Sequence, residues 1–561
     1  MSIVWTFLFG HRQNRFFVKF IGFLGVLAGN VPDITQAQER FAVIGDFGDT
    51  TAANNVANRL SQMKPTWIAT VGDNIYTTGG TTAEYDAAIG IKYGAFIKGS
   101  ASSTGTAAIN NFYPVIGNHD IDAGGATLAQ NYTDYFALTN ANDSAISTSS
   151  GNERYYDVVR GNVHLFVLSS DTRDTSALGG GQAVGSPQRT WFDNALAGST
   201  SAWNIVTFHH PAYSTSDISG DHASNAYLQW GFSSGANTAQ VIYNGHSHDY
   251  ERTLIPATGQ QYVVEGTGGQ STGTFAAPAL TGVAETQFRD TSSTTGGSYN
   301  GFTIVDANSH LFTHRHFQQN GELLDSFTLV KPGLVLQRTL FSNDNANGYH
   351  GAHDTQISQS APGTNLANAA TLTVDSSDAS LTPTQALIRF DNLFGTGAGQ
   401  VPLNSEIAMA TLNIEVTNAG AGLAVFQMIA DWQDTSTWNS LVNGVATDGI
   451  EAALANAFDV SVGVGNANAT SSTNVGLGTF SLDVTKSVQA WANGSINHGW
   501  LLNYLEGGTN GIGFRSSEDA DNSLRPRLEI SFVSAVPEPA SLTLVGLLMP
   551  SFLLRRTCRR S

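Results

Sequence analysis

The sequence predicts an α/β domain followed by an all-β sandwich, and three observations carry that prediction. The chain has 561 residues, enough for two to four domains at about 100–200 residues each. From about residue 40 to 331, apolar runs alternate with helix-like stretches, which is typical of α/β construction around a layered sheet. From 334 to 535, short alternating strands are separated by clusters of Gly, Asn, Thr and Ser, which is typical of a sandwich. We therefore assign residues 38–332 to the first domain and 334–535 to the second.

Individual elements follow from local patterns. The apolar runs Phe41–Ile44 and Trp67–Val71 predict buried strands, and the segment Ala52–Met63 between them has helix formers with polar spacing. In the second domain, Ala410, Leu412, Ile414 and Val416 alternate with other residues, which predicts a strand with one apolar face.

The composition excludes several classes of protein. Charged residues make up only 13% of the chain and hydrophobic residues 41%, which argues against a disordered acidic protein. The formal net charge of −19 argues against non-specific binding to nucleic acid or to an anionic membrane surface, and we predict no nucleic-acid-binding module. Cys558 is the single cysteine, so an intramolecular disulfide is impossible.

The first 37 residues have the order of a secretory signal. Arg12, Arg15 and Lys19 precede the apolar run Phe20–Gly29, and Thr35-Gln36-Ala37 offers small residues for cleavage. The alternative is a buried first helix, but the basic flank favours export. We therefore predict that residues 1–37 are a signal peptide.

The last 26 residues also have the order of a targeting signal. Val536-Pro537-Glu538-Pro539 is followed by an apolar stretch, Leu542–Leu554, and by four arginines among residues 555–560. This stretch has thirteen residues, Pro550 among them, and is short of the roughly 20 that span a bilayer. This three-part order resembles the PEP-CTERM sorting signal of Gram-negative bacteria, with an ordinary tail anchor as the alternative. The resemblance implies recognition by an export sorting machinery, removal of the tail, and a location at the cell surface or in the extracellular matrix. Loss of both ends would remove seven basic and two acidic residues, moving the formal charge from −19 to −24.

Candidate metal ligands recur after the apolar runs of the first domain. Five runs each end in a small residue or a turn, and an Asp, Asn or His then appears. The five ligand positions are Asp46, Asp73, Asn118, His209 and the pair His246 and His248. Ligands of open α/β sheets bind beyond the carboxyl ends of the strands, and glycines permit close backbone approach there. A single Gly-Asp or Asn-His pair is ordinarily turn chemistry, but five such ends within 200 residues favour a metal site.

The donor types narrow the choice of metal. Asp, Asn, His and Tyr76 supply oxygen and nitrogen without thiolate, which suits Zn, Mn and Fe. Seven candidates exceed one four-coordinate site, and a carboxylate can bridge two ions about 3.5–4 Å apart, so we expect a two-metal centre. Tyr76 follows Asp73 by three residues, and as a phenolate it would favour Fe(III).

At this point the residues resemble the purple acid phosphatases, within the calcineurin-like metallophosphoesterases. The resemblance covers roughly residues 40–320, and the tyrosine separates purple acid phosphatases from most other members. It rests on five blocks, which are Gly45-Asp46-Phe47-Gly48, Gly72-Asp73-Asn74-Ile75-Tyr76, Gly117-Asn118-His119-Asp120, Phe208-His209-His210-Pro211 and Gly245-His246-Ser247-His248. It implies an α/β metallophosphoesterase sandwich of two mixed β-sheets flanked by helices.

The resemblance also implies a role for each residue. Asp46, Tyr76 and His248 would hold Fe(III). Asn118, His209 and His246 would hold a divalent ion, which is Fe, Zn or Mn. Asp73 would bridge the two ions and act in catalysis, and His119 would contact the phosphate and assist proton transfer. His210 is expected to be structural, since the ligand of the family precedes the proline by two residues.

One family histidine has no direct counterpart. The family commonly has it about ten residues after the fourth block, where this chain has Ser219. The nearest candidate is His222, which we include as a catalytic candidate; an exposed loop histidine is the alternative. If His222 is absent from the site, protonation of the leaving group falls to His119 or to solvent.

The second domain resembles the DNRLRE domain, a jelly-roll-like module of secreted bacterial proteins. The resemblance includes the terminal run Arg525-Pro526-Arg527-Leu528-Glu529. Some relatives are implicated in polysaccharide binding, so an extracellular polysaccharide is a candidate partner. Four tryptophans could stack on sugars, but a place in the core is favoured for residues of this type in a sandwich. They are Trp432, Trp438, Trp491 and Trp500.

The predicted function is that of an exported binuclear acid phosphatase. It would hydrolyse phosphate monoesters, including phosphorylated small molecules, by attack of a metal-bound hydroxide. One alternative is a phosphodiesterase or nucleotidase of the same superfamily. The other is a surface or matrix protein that binds polysaccharide and carries the phosphatase-like domain as a scaffold.

Overall fold

The computed structural model describes residues 38–534, except for 77–79, 99–103, 122–128, 139–144, 147–149, 217–229, 294–296, 344–347, 376–381, 455–474 and 505–509. Both predicted terminal segments, 1–37 and 536–561, lie outside the described residues. The described residues belong to one compact unit that begins at Ala37. Among them, no helix has the length and apolar character needed to cross a membrane.

The first half of the chain contains fifteen strands in the described residues. They are β1 (Glu39–Ile44), β2 (Trp67–Thr70), β3 (Phe112–Tyr113), β4 (Tyr156–Arg160), β5 (Val163–Val167), β6 (Trp203–Thr207), β7 (Ser233–Ser234), β8 (Asn237–Thr238), β9 (Val241–Asn244), β10 (Tyr250–Ile255), β11 (Gln260–Glu265), β12 (Glu285–Arg289), β13 (Gly301–Ala307), β14 (Leu311–Gln318) and β15 (Leu323–Val330).

Thirteen of these strands form two mixed sheets. The first sheet has the order β15-β14-β13-β1-β2-β3, with β1, β2 and β3 mutually parallel. The second has the order β12-β10-β11-β9-β6-β5-β4, with β11, β9, β6 and β5 mutually parallel. Strands β7 and β8 form a separate hairpin. The predicted architecture of two mixed sheets is therefore present.

Few helices flank the sheets. They are α1 (Thr51–Gln62), α2 (Thr82–Tyr85), α3 (Ile91–Tyr93), α4 (Gln130–Phe136) and α5 (Pro187–Ala197), with a π-helical turn, Asp86–Gly90, joining α2 to α3 and a 3₁₀ turn at Ser176–Leu178. Helix α1 begins where the Thr50 side chain accepts from the backbone N–H of Ala53. Helix α5 begins with Ser186 as its cap and Pro187 in its first turn.

The two sheets pack face to face, and the side chains of each strand alternate between two apolar layers. In β6, Ile205 belongs to the core between the sheets, while Val206 packs with Phe192 of α5 on the outer face of the second sheet. Strand β1 is buried on both faces, which explains why Phe41–Ile44 is a continuous apolar run. This packing fixes the parallel strands side by side, so their carboxyl ends come together.

The second half of the chain is all-β apart from one helix and one 3₁₀ turn in its described part. Its strands are β16 (Leu336–Ser342), β17 (Ala352–Ser358), β18 (Thr371–Val374), β19 (Thr384–Phe390), β20 (Glu406–Asn418), β21 (Leu423–Gln427), β22 (Gly478–Asp483), β23 (Trp500–Tyr504), β24 (Ile512–Arg515) and β25 (Arg527–Val533). Helix α6 (Thr485–Ala492) follows β22, and the 3₁₀ turn is Asn522–Leu524.

These strands form two antiparallel sheets around their own core. One has the order β16-β25-β20-β24-β18, with β22 also paired to β20, and the other has the order β17-β19-β23-β21. The predicted alternation in β20 is confirmed, because Ala410, Leu412, Ile414 and Val416 all enter this core. All four tryptophans named in the sequence analysis are buried, which agrees with the favoured reading as core residues rather than sugar-stacking platforms.

The two halves meet through a buried ion network. Arg315 of β14 is 1% exposed and donates to Oδ2 of Asp306 at 2.7 Å. Its Nε lies 3.2 Å from Oδ2 of Asp483 in the second half, and its Nη2 donates to the carbonyl of Ala408 at 3.2 Å. Beside this network, Leu311 packs on Ala408 and Val533. The second half is therefore joined to the first by buried contacts.

Candidate metal centre

The candidate ligands lie at the carboxyl ends of parallel strands in both sheets. Asp46 follows β1, Asp73 follows β2 and Asn118 follows β3, which are neighbours in the first sheet. His209 follows β6, and His246 follows β9, its neighbour in the second sheet. Because the two sheets face each other, these ends converge on one crevice.

One cluster contains Asp46, Tyr76 and His248. The Tyr76 hydroxyl lies 2.8 Å from Nε2 of His248 and 3.1 Å from Oδ1 of Asp46. The second ring nitrogen of His248 is held by the carbonyl of Ser271 at 3.0 Å. This contact leaves Nε2 directed at Asp46 and Tyr76, as a ligand nitrogen requires.

A second cluster contains Asn118, His209 and His246. Oδ1 of Asn118 lies 2.9 Å from Nε2 of His209 and 2.9 Å from Nδ1 of His246. The two ring nitrogens are 3.3 Å apart. The Nδ1 of His209 contacts the carbonyl of Val71 at 2.8 Å, which fixes the orientation of the ring.

Asp73 lies beside the second cluster, and its charge also acts on Asp46 and His248 of the first. Its Oδ1 is 3.3 Å from Nε2 of His209 and accepts from the backbone N–H of His119 at 2.9 Å. The ligand atoms of Asp73, His209 and His246 all lie within 4.8 Å of one another. The backbone N–H of His246 donates to Oδ2 of Asp46 at 3.0 Å, which ties the second cluster to the first.

Glycines before the ligands make this convergence possible. A Cβ on Gly117 would lie 2.2 Å from Oδ1 of Asp73, and a Cβ on Gly72 would lie 2.4 Å from Nδ1 of His209. A Cβ on Gly245 would lie 2.5 Å from Oδ2 of Asp46. Each glycine therefore leaves room for a ligand that another strand supplies.

Three of the candidate ligands themselves have left-handed backbone conformations. The φ angles are +56° at Asp46, +48° at Asp73 and +69° at His246. Non-glycine residues rarely adopt these angles, and each costs roughly 1–3 kcal/mol that the surrounding structure must offset. Such strain is typical of functional sites, where side-chain direction outweighs backbone preference.

Burial dominates the electrostatics of the centre. Asp46 is fully buried, and loss of hydration raises its pKa well above the ordinary value despite the nearby His209. Burial also acts to raise the pKa of Asp73, but the charge and hydrogen bond of His209 prevail and lower it to about 2. Burial acts to lower the pKa of His209, and Asp73 outweighs it and raises the pKa to about 9. Asp73 and His209 thus form the charged pair of the centre, and a cation beside Asp46 would favour the ionised form of that carboxyl.

The side chains fit the two metal ions that the sequence predicts. The set offers carboxylate, amide and phenol oxygens and imidazole nitrogens, which suit Zn, Mn and Fe. The structure brings all seven predicted ligands together, in the grouping described above. The identity of each ion stays a prediction.

The two predicted catalytic histidines have different outcomes. Nε2 of His119 lies 4.0 Å from Oδ2 of Asp73, and its ring packs 4.7 Å from that of Tyr76. Its Nδ1 is buried and has no hydrogen-bond partner among the residues that the structure describes. His222 lies outside the described residues, so its role stays a prediction.

His210 lies against the centre without joining either cluster. Its ring centre is 5.0 Å from that of His209 and 4.5 Å from that of His246. Its Nδ1 lies 2.8 Å from the hydroxyl of Ser170, which also accepts from the backbone N–H of His210 at 3.0 Å. These contacts position the ring as a neighbour of two ligands, in keeping with the predicted structural role.

A buried carboxyl holds the β2 and β3 loops together. Oδ2 of Asp120 accepts from the backbone N–H of Gly117 at 2.8 Å and from the side-chain amide of Asn74 at 3.0 Å. The hydroxyl of Tyr85 donates to its other oxygen at 2.8 Å. Burial and the charge of Asp73 raise the pKa of Asp120 to about 7. The sequence marked Asp120 only as part of a motif, without this role.

Sequence reasoning missed the glycine-rich loop 266–273 that follows β11. Its backbone N–H groups at Gly268 and Gln270 donate to the carbonyls of Gly45 and Asp46, at 2.9 and 3.0 Å. Gly273 donates to the carbonyl of His248 at 3.0 Å. The loop therefore fixes the backbone of two candidate ligands. The run Gly266-Thr267-Gly268-Gly269 after an apolar strand was the available signal.

Sequence reasoning also missed Arg173, which lies in the loop after β5. Its Nη2 donates to the carbonyl of Asn118 at 2.9 Å and to Oδ2 of Asp171 at 2.7 Å. The residue is exposed, so it places a guanidinium at the mouth of the crevice.

Comparison with known proteins identifies the class of the first domain. Residues 39–250 match the family model of the calcineurin-like phosphoesterases, so this part of the chain is a calcineurin-like metallophosphoesterase domain. Phosphatases of this family depend on two metal ions, in agreement with the donor set.

A curated relative is purple acid phosphatase 15 of Arabidopsis thaliana, which is 26% identical over 261 residues. The match covers 41% of this chain and 45% of the relative, so the chain spans less than half the length of that protein.

Two solved structures are each similar to about half of the chain. GAP50 of Plasmodium, an anchor in the inner membrane complex, has 16% identity and a TM-score of 0.37, covering 52% of this chain and 89% of its own. A dimetal phosphatase of Danio rerio has 13% identity and a TM-score of 0.33, covering 52% and 98%. Similarity at this level bears on neither activity nor substrate.

Proposed function

We propose that the protein hydrolyses phosphate monoesters at a centre of two metal ions, as an acid phosphatase of the purple acid phosphatase type. The observation that supports this most directly is the convergence of two clusters of oxygen and nitrogen donors in one crevice, with Asp73 beside the second cluster. The first cluster contains the Tyr76 hydroxyl. In the family that the sequence resembles, a tyrosine at this position separates purple acid phosphatases from most other metallophosphoesterases. The proposed cofactors are Fe(III) and a divalent ion, which is Fe, Zn or Mn.

Each proposed ligand is assigned to one cation or to both. Asp46, Tyr76 and His248 would hold one cation, Asn118, His209 and His246 the other, and Asp73 both. When bound, the two cations would supply a water of lowered pKa and neutralise charge on the phosphoryl oxygens.

His119 is proposed to assist the reaction. Its exposed edge faces the crevice beside Asp73, and its side chain is 33% exposed, so a substrate oxygen can reach it. A histidine at this position can hold a phosphoryl oxygen or give a proton to the departing alcohol. The enclosure of Asp46 and Asp73 keeps water away from the ligands and strengthens their hold on a cation.

Turnover of a matched pair of chromogenic esters tests the proposal. We expect the purified full chain to contain about two metal ions and to hydrolyse p-nitrophenyl phosphate at least tenfold more efficiently than bis(p-nitrophenyl) phosphate. A preference for the diester would instead favour the phosphodiesterase alternative. Full activity with one ion or none would contradict the two-metal centre.

Matched substitutions distinguish the loss of a proposed ligand from the loss of a carboxylate elsewhere in the domain. Asp73→Asn should lower kcat/KM by at least about 100-fold and reduce the metal content, with little change in unfolding temperature beyond that of metal loss. Asp193→Asn removes a carboxylate from α5 that pairs with Arg189, and it should leave both quantities unchanged. Inactivity of the wild-type chain toward all monoesters would leave the scaffold alternative.

We also propose that the protein acts outside the cytoplasm of a Gram-negative bacterium, at the cell surface or in the matrix. Support comes from the signal-like order of residues 1–37 and the sorting-signal resemblance of residues 536–561. Fractionation of cells that express the full chain, and the mass of the mature protein, would test this. A protein that retains both ends in the cytoplasm would contradict it.

A further inference from the structure

Arg173 stands in a loop that is anchored at several points. The backbone N–H of Ser169 donates to the side-chain carbonyl of Gln188 at 2.7 Å, and the hydroxyl of Ser170 contacts His210 at 2.8 Å. At the far end, Arg154 holds the carboxylate of Asp174 through two hydrogen bonds of 3.0 Å. The loop therefore presents Arg173 at a fixed place beside the metal centre.

The guanidinium of Arg173 is held along one edge and open along another. Nε and Nη2 donate to the two oxygens of Asp171 at 2.9 and 2.7 Å, and the backbone N–H of Arg173 donates to Oδ1 at 2.8 Å. Nη2 also donates to the carbonyl of Asn118. Nη1 has no hydrogen bond to any residue that the structure describes. Asp171 is 6% exposed and Arg173 41% exposed, so the clamp is inside and the open edge faces solvent.

The contact with Asn118 places the guanidinium relative to the metal centre. Arg173 touches the backbone carbonyl of Asn118, while the side-chain oxygen of the same residue faces His209 and His246. The guanidinium of Arg173 therefore lies beside the backbone of a candidate ligand, at the rim of the crevice. A group held there belongs to the part of an ester that extends beyond the phosphoryl group.

We propose that Arg173 binds a second anionic group on the leaving side of the substrate, so the preferred substrates are phosphate monoesters whose alcohol carries a carboxylate or another phosphate. This inference rests on the proposed function. Nη1 supplies two N–H donors to that anion, and Asp171 acts through Arg173 by fixing the plane of the guanidinium.

The test is equilibrium binding of two non-hydrolysable phosphonates that differ only in the second anion. We use 3-phosphonopropanoate, which has a terminal carboxylate, and propylphosphonate, which has a methyl group in its place. Isothermal titration calorimetry on the metal-loaded full chain should show about tenfold tighter binding of 3-phosphonopropanoate. Arg173→Gln should abolish this difference and leave the affinity for propylphosphonate within about twofold.

Two further variants separate charge from orientation. Arg173→Lys keeps the charge but loses the two-point contact with Asp171, and we expect it to retain only part of the preference. Asp171→Asn keeps the arginine but loosens its plane, with a similar partial loss. Arg338→Gln removes an exposed arginine that pairs with Glu529 in the second half, and it should retain the full preference.

The outcomes distinguish this inference from the proposed function. Equal affinity of the wild-type chain for the two phosphonates, or an unchanged preference in Arg173→Gln, would overturn the role of Arg173. A preference that depends on Arg173 in a chain without turnover of any ester would keep the anion site and overturn the phosphatase. Metal content measured on each variant shows that the centre itself is intact.

Discussion

The hydroxyl of Tyr76 lies 2.8 Å from Nε2 of His248, although 172 residues separate the two along the chain. Tyr76 follows a strand of the first sheet and His248 a strand of the second, so their contact joins the two sheets at the crevice. Burial and the charge of Asp46 raise the pKa of the Tyr76 phenol well above its ordinary range. A phenolate at this place therefore needs a strong cation beside it.

The first prediction concerns the proposed binding of Fe(III) by this cluster. Tyr76→Phe removes the phenol oxygen and leaves Asp46 and His248 in place, so affinity for Fe(III) should fall by about 10–100-fold while the divalent ion is retained. Elemental analysis after dialysis against a weak chelator measures both ions. Tyr93→Phe removes another buried hydroxyl that has no hydrogen-bond partner in the described part of the chain, and it should leave both contents unchanged. Equal iron in Tyr76→Phe and wild type would show that the phenol is not a ligand.

The second prediction concerns the space that Gly117 leaves. A Cβ there would lie 2.2 Å from both the backbone nitrogen and Oδ1 of Asp73, so Gly117→Ala must displace the proposed bridging carboxylate. We expect a loss of about 1–3 kcal/mol in unfolding free energy, with loss of bound metal. Gly476→Ala is the matched control, because its added methyl group meets nothing within 4 Å. Normal metal content in Gly117→Ala would mean that the loop can shift without cost to the centre.

The sequence revealed the elements whose pattern is local. Phe41–Ile44 and Trp67 lie on strands buried on both faces, and a continuous apolar run indicates such a strand without any tertiary information. Five ligands were found because each follows shortly after such a run, and Tyr76 and His248 because they lie three and two residues after Asp73 and His246. Strand β3 has only two residues, but their pairing with β2 is enough to bring Asn118 to the crevice.

What the sequence could not show depends on contacts between distant segments. Arg315 looks like an ordinary strand residue, and only the packing of the two halves buries it beside Asp483. Arg173 follows a strand as the ligands do, but its partner carbonyl belongs to Asn118, 55 residues away. No periodicity or spacing encodes such pairs, because each joins segments that belong to different sheets.

The third prediction concerns the junction between the halves. Arg315→Met removes a buried cation from between Asp306 and Asp483, and it leaves Asp483 without this partner. We expect a loss of about 3–5 kcal/mol in unfolding free energy, since breaking a buried ion pair leaves a buried charge without a partner. Urea unfolding followed by tryptophan fluorescence measures this. Arg338→Met breaks the exposed pair with Glu529 and should cost less than about 1 kcal/mol. Equal losses in the two variants would contradict a structural role for the buried network.

The fourth prediction concerns pH and Asp354, a residue of the second half that is 3% exposed. Burial, opposed by a hydrogen bond of 2.6 Å from the backbone N–H of Ser517, raises the pKa of Asp354 from 3.8 to about 7. A raised pKa in the folded chain means that folding favours the protonated carboxyl. Its contribution is therefore fully present below about pH 4 and is lost as the pH rises to about 7, by roughly 1.4 kcal/mol for each pH unit.

Asp354→Asn isolates this contribution, because the amide oxygen can still accept from Ser517 while the side chain cannot ionise. We expect the variant and the wild type to have similar urea midpoints at pH 4, and the variant to be the more stable of the two at pH 8. Asp448→Asn changes an exposed acid of the same half and should reproduce the wild-type profile at both values. The difference between Asp354→Asn and wild type must grow with pH, because only the wild-type chain has to ionise a buried carboxyl. A constant difference from pH 4 to pH 8 would show that Asp354 is already ionised at the acid end, and that its environment stabilises the charge.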